Sequence, residues 1–236
     1  QTPTGKKLDV DTYKRVDIRL ESLIDMAFCY GECYKKNSPE QALDYFRKYA
    51  WSRQVYMTVL EKLAYRYFLK KKWHHAAVVY RELSGLQHDA ERLLEYTRNI
   101  FECVQAIGSF KDTDQDIQFI VKALKKQKYS IHIPEDKKKT NLHDYELYAR
   151  DLVTHTHEKA RKGKSPQDFM RAADSYKCYL DFFEESPVYL EMAGNYAETL
   201  FASHQYFEAG KQYELILEKL PENSSKREET LYSAVI

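Results

Sequence analysis

From Trp73 the chain sets apolar residues at i, i+3 and i+7: Trp73, Ala76 and Tyr80. The same order of aromatic, alanine and aromatic returns at Phe169, Ala172, Tyr176 and at Tyr206, Ala209, Tyr213. With proline in first place it also occurs at Pro39, Ala42, Phe46. These positions share one side of an α-helix, so each copy predicts the buried stripe of one helix. The last stripe runs on through Gly210, Ile216, Leu217 and Leu220. A small residue at the middle place of every copy predicts that a neighbouring helix crosses closely there. Ala42 to Ala76 spans 34 residues, Ala172 to Ala209 spans 37, and the 96 residues between Ala76 and Ala172 leave room for one or two further helix pairs.

Punctuation agrees with the stripes. "SPEQ" (Ser38 to Gln41) and "SPQD" (Ser165 to Asp168) each offer a serine N-cap, proline at the first helical position and an acid or amide at the third, and "SPVY" opens another helix at Ser186. The expected pairs are residues 17–36 with 39–50, 52–70 with 73–84, 88–108 with 112–128, 141–162 with 167–185, and 188–203 with 206–219. The fold class is therefore all-α, an α-solenoid of about five antiparallel helix pairs filling residues 1–236 as a single domain. A long inter-repeat loop or a joint between two sub-arrays is expected at 129–141, where "SIHIPEDKKKTNL" carries a proline and five charges but no helical stripe. A new amphipathic helix opens in the closing "SKREETLYSAVI", and a first residue that is Gln points to a fragment of a longer array.

Composition sharpens the class. Seven Gly and six Pro in 236 residues are few for a fold of many strands and turns. The formal charge is +1, from 37 basic and 36 acidic residues, which gives no excess for displacing counterions from nucleic acid. The lysine runs at 70–72, 125–128, 137–139 and 161–164 are expected at helix ends and in loops, where positive charge complements helix carbonyls. No apolar run is long enough to span a bilayer, so direct membrane insertion is not expected.

Candidate chemistry thins out on inspection. His74 and His75 are adjacent, point about 100° apart on a helix, and cannot chelate one ion together. His155 and His157 face apart for the same reason, though Asp151 is placed to pair with His155. The "GKS" at Gly163 lacks the first phosphate-loop glycine, since Glu158 stands there. Cys29, Cys33, Cys103 and Cys178 lack zinc-site spacing and read as small buried apolar residues. No catalytic residues, metal site or cofactor are therefore expected, and the chain reads as a non-enzyme.

Residue by residue, the pattern resembles the tetratricopeptide repeat. One copy supplies Tyr206, Glu208, Ala209, Tyr213 and a terminal Pro221. Another supplies Leu63, Ala64 and Tyr67 on its first helix, then Trp73, Ala76 and Tyr80 on its second. The copies at Ala42 and Ala172 are partial, the former needing one inserted residue to place Gly31 and Tyr34; the pair at 88–128 matches in length and stripe. The resemblance implies a right-handed superhelix, with first helices lining a concave groove that binds another protein or a peptide. Its groove positions fall on Thr58, Glu61, Tyr65 and Phe68, and on Glu191, Gly194, Glu198 and Phe201. Those sets suit a peptide or helix carrying basic and apolar residues, with inter-repeat packing as the alternative use of Phe68 and Phe201. Asn195 and Lys62 meet two positions of the carboxylate clamp found in chaperone-binding members; acids and Tyr65 fill the others. The alternative function is a structural spacer or self-assembly module of a larger protein. The tyrosine-rich helices and the closing segment also resemble repeat segments of large bacterial extracytoplasmic proteins, which tilts localisation to the periplasm over the cytoplasm.

Overall fold

The computed structural model describes residues 17–33 and 37–235, apart from the side chains of Glu229 and Val235. These residues form eleven α-helices and no strand: α1 (Ile18–Cys33), α2 (Pro39–Tyr49), α3 (Arg53–Leu69), α4 (Trp73–Leu86), α5 (Ala90–Ile107), α6 (Thr113–Lys128), α7 (Glu135–Gly163), α8 (Pro166–Leu180), α9 (Tyr189–Ala202), α10 (Tyr206–Lys219) and α11 (Arg227–Val235). From α2 onward each helix packs on the next, and α1 with α3, α2 with α4, and α6 with α8 pack as well. The expected Tyr34 lies outside the described residues.

The alanines at the middle of the stripes, Ala42, Ala76, Ala172 and Ala209, are all buried, as close helix crossings require. Gly31 makes another crossing: a Cβ there would stand 3.2 Å from the Tyr67 ring, tighter than that ring tolerates without moving. One hydrophobic cluster runs from Leu23 through Ile100 and Leu152 to Ile216, so the core continues across the expected joint.

Several bonds link points about one repeat apart in sequence. Arg66 reaches Glu32 across 34 residues at 3.3 Å, and Arg47 reaches Glu82 across 35 at 2.9 Å. Arg81 reaches Asp116 across 35 residues through two bonds of 2.7 Å.

The turns α3–α4 and α9–α10 repeat the same bonding. Lys72 N–H donates to Tyr67 O and Lys71 N–H to Phe68 O; Gln205 N–H donates to Leu200 O and His204 N–H to Phe201 O. Both turns put a non-glycine residue in the left-handed region, Lys71 at φ 55° and His204 at φ 67°. Lys164 (φ 53°) does the same after α7.

Three local expectations are corrected. Ser38 forms the full capping box with Gln41, but the Ser165 hydroxyl makes no cap bond. Ser186 lies two residues before the N-cap of α9, and its hydroxyl accepts from Val188 N–H at 3.4 Å while also bonding to Glu146 and Tyr179. The largest change is at 129–141: α7 already begins at Glu135, leaving a short connection. Its first turns are held by partners from elsewhere, with Gln127 donating to Lys138 O at 3.2 Å and Asn141 to Gln127 at 2.9 Å. Lys137–Lys139 thus stand at a helix N-terminus, where the dipole disfavours them; Lys137 is offset by Glu91 at 2.5 Å and Lys138 by Glu135 at 2.7 Å.

Candidate functional site

The groove residues expected on α3 divide by what faces them. Leu60, Leu63, Ala64 and Tyr67 form the buried side of the helix. At about 100° per residue, the side directly opposite carries Thr58, Lys62, Tyr65 and Leu69, while Glu61 and Phe68 fall on its flank. Tyr65 and Leu69 are each 55% exposed, and the Tyr65 phenol makes no hydrogen bond among the described residues. Thr58 is half-buried and donates to Gln54 O at 3.0 Å.

Glu61 is not free. It accepts a short hydrogen bond from Tyr96 and pairs with Arg92 at 3.4 Å, tying α3 to α5. Burial, then this carboxylate, pushes the Tyr96 phenol above its ordinary range. Phe68 is half-buried and meets Trp73 edge-on at 5.1 Å and Tyr80 at 6.4 Å. It joins the end of α3 to α4 and packs against the core cluster. Phe201 repeats the arrangement with Tyr206 at 5.1 Å, although it stays 43% exposed.

On α9, Glu191 and Glu198 are exposed and Gly194 is half-buried, opposite the buried Met192, Ala193, Ala197 and Leu200. The α3 and α9 sets therefore stand on two separate helices, each on the outer side of an odd-numbered helix. Asn195 is half-buried on α9.

Other odd-numbered helices add groups that family positions did not indicate. Phe28 on α1 is exposed beneath the Arg66 guanidinium, 5.8 Å from the ring centre. Phe101 on α5 stacks on Tyr148 of α7 at 4.5 Å, and the two line a shallow cleft of ≈ 410 Å³ with Leu147, Arg150, Asp151 and Thr154. Leu69 was legible as the residue opposite Leu60 and Leu63 on a helical wheel. The Phe101–Tyr148 stack joins residues far apart in the chain and had no local signal.

A larger cleft of ≈ 660 Å³ opens between the end of α6, the first turns of α7 and the α8–α9 connection. Leu124, Leu142, Phe182 and Phe183 give it apolar walls, and Lys139, His143, Glu184 and Glu185 add charge of both signs. Glu146 also lines it, held by Tyr179 and by Ser186 at 3.2 Å.

The histidines have structural partners. His75 bonds to Asn37 O at 3.2 Å and meets the Tyr67 ring at 5.1 Å, while His74 is exposed. His155 pairs with Asp151 at 3.3 Å. His157 is buried and bonds through Nδ1 to the Tyr176 hydroxyl at 3.0 Å. Cys103 is buried, which pushes its thiol up to about 12, whereas Cys29 and Cys33 are exposed, contrary to the buried reading. Among the described residues no group of three or more His, Cys, Asp or Glu is placed to hold a metal ion, and no helix is long and apolar enough to cross a membrane.

No protein-family model and no curated protein matches the chain. Among solved structures, the crystal structure of BtubC (BKLC) from P. vanneervenii aligns with 91% of this chain and 81% of that one, at 15% identity and a TM-score of 0.30. A likeness at that level carries no inference about fold family or activity.

Proposed function

We propose that the chain is a non-catalytic scaffold of tetratricopeptide-like helix pairs, stacked as a right-handed superhelix, which binds another protein or a peptide along its odd-numbered helices. The observation that carries this reading is the outer stripe of α3, where Tyr65 and Leu69 stay open to solvent although neither serves the core. A large aromatic beside a leucine, flanked by Lys62, offers apolar area with a polar edge, the composition of interface anchors. Phe28 and the Phe101–Tyr148 stack extend apolar groups to α1, α5 and α7. The bonds at separations of 34 and 35 residues support the stacking itself. Glu191 and Glu198 on α9 favour a partner with basic residues at that end.

Affinity capture from a native extract, run with the parent chain and with Tyr65→Glu/Leu69→Glu, tests the assignment. A partner lost from the double variant but kept by Met170→Glu, an exposed change on α8, is the expected result. Equal retention by both would remove the odd-helix face from consideration.

The second reading, a spacer or self-assembly module, draws on a different place. Phe207 on α10 and Leu231 and Tyr232 on α11 are exposed at one end of the helix series. Sedimentation velocity across a concentration series distinguishes the two. Mass that rises with concentration and is abolished by Leu231→Glu favours assembly; a constant monomer mass favours the scaffold.

A further inference from the structure

Four cationic or titratable side chains from three parts of the chain converge where α4 ends. Arg53 opens α3, His88 lies in the α4–α5 connection, and Lys122 and Lys126 stand one turn apart on α6. Arg53 Nη2 donates to Leu86 O and to His88 Nε2, the latter at 3.0 Å. Lys122 Nζ donates to Ser84 O at 2.8 Å and Gly85 O at 3.4 Å. Both cations thus serve the open carbonyls of α4, which accounts for part of their placement.

It does not account for all of it. Arg53, Lys122 and Lys126 form no ion pair among the described residues, so three formal positive charges meet without a countercharge. The nearest carboxylates in sequence are engaged: Asp89 accepts from Arg92 N–H at 2.9 Å, and Glu91 pairs with Lys137. The repulsion is visible in the titrating groups. Arg53 first, then burial, Lys126 and Lys122, push His88 below its ordinary value. Burial first, then Lys126 and Arg53, push Lys122 down. Because an arginine can only donate, His88 Nε2 is the acceptor and its proton sits on Nδ1. Among the described residues Arg53 Nε and Nη1 make no hydrogen bond, and neither does Lys126.

We propose that Arg53, His88, Lys122 and Lys126 form a docking site for one phosphoryl group, carried as a phosphorylated serine or threonine of a partner protein. A phosphate monoester brings a charge of about −1.5 to −2 and three acceptor oxygens, which matches a planar guanidinium fork and two ammonium groups better than a single carboxylate does. The cluster is small, and the whole chain carries only +1. An extended polyanion such as nucleic acid or a lipid surface calls for a broader basic excess than four side chains on a chain of that charge supply. The site lies away from the Tyr65 stripe and goes beyond the groove reading, standing or falling independently of it.

The test is an amide-resolved NMR titration of the full chain with N-acetyl-phosphoserine amide, N-acetylserine amide and inorganic phosphate. A parallel arm uses phosphatidylcholine vesicles containing phosphatidylinositol 4-phosphate. The proposal expects saturable, millimolar binding of the two phosphates, with shifts centred on residues 84–88 and 122–126 and none from the unphosphorylated amide. Lys126→Gln, which breaks no internal bond, should weaken binding about three- to tenfold without altering the rest of the spectrum. Shifts elsewhere, equal binding by Lys126→Gln, or an equal response to N-acetylserine amide would overturn it. Binding to the vesicles alone would overturn the phosphoprotein assignment in favour of a lipid headgroup.

Discussion

Arg81 is closed in by two carboxylates, Asp116 at 2.7 Å and Asp112 at 3.0 Å, and Asp116 is almost wholly buried. Burial pushes the Asp116 carboxyl up, and the doubly bonded guanidinium pulls against that shift. Removing the buried partner leaves the largely buried Arg81 with only the exposed Asp112, so Asp116→Ala should cost about 3–5 kcal/mol, whereas Asp112→Ala should cost about 1 kcal/mol or less. Urea unfolding of the two variants measures the difference; equal losses would contradict the burial argument. His157 supplies a pH signature. Burial first, then Arg161, hold its imidazole below the ordinary 6.5, against a small opposing effect of Glu158. The unfolded chain then takes up a proton that the folded chain refuses, so this contribution is intact above about pH 6.5 and is lost as pH falls below it. Between pH 7 and 5, His157→Gln should show a shallower loss of stability than the parent, the parent's extra slope being at most about 1.4 kcal/mol per pH unit. Identical slopes would assign the dependence to other histidines, such as His75, which burial also holds low.

At the scale of elements, the α3–α4 and α9–α10 hairpins carry an aromatic clasp that joins the last turn of one helix to the first residue of the next. Phe68 meets Trp73 and Phe201 meets Tyr206, each five residues on. Their position in the repeat register identified them as groove residues, because register knows spacing but not the rotation that brings the following helix across. Glu61 was hidden in the same way by Tyr96, a partner 35 residues on. The clasp separates two charge insertions on one helix. Phe68→Glu should lower the melting temperature by several degrees, the equivalent of about 1–3 kcal/mol, while Tyr65→Glu should stay within about 0.5 kcal/mol of the parent. Circular dichroism melts of both variants check this, and comparable losses would place Tyr65 in the packing as well. The start of α7 shows the opposite limit of sequence reading. Residues 135–140 have no apolar stripe, and the partners that hold the start of α7 are Gln127, which bonds to Lys138 O and to Asn141, and Glu91, which pairs with Lys137; both lie outside α7 and leave no local signature.

For the molecule as a whole, the readable information lay in recurrence. Four alanines at matching places in four stripes located buried crossings, and helix pairing followed from short connections between stripes. Which side of each odd-numbered helix remains open is a collective property, set by how neighbours stack, and only part of the α3 and α9 sets survives as accessible surface. A partner bound along this open side should be sensitive to charge placed there. Isothermal titration of the captured partner into the parent chain, Tyr65→Glu/Leu69→Glu and Met170→Glu, with circular dichroism confirming equal helicity, measures this. The first variant should lose at least about tenfold in affinity, roughly 1.4 kcal/mol or more, and Met170→Glu should match the parent. Undiminished binding by a folded Tyr65→Glu/Leu69→Glu chain would contradict binding along this side.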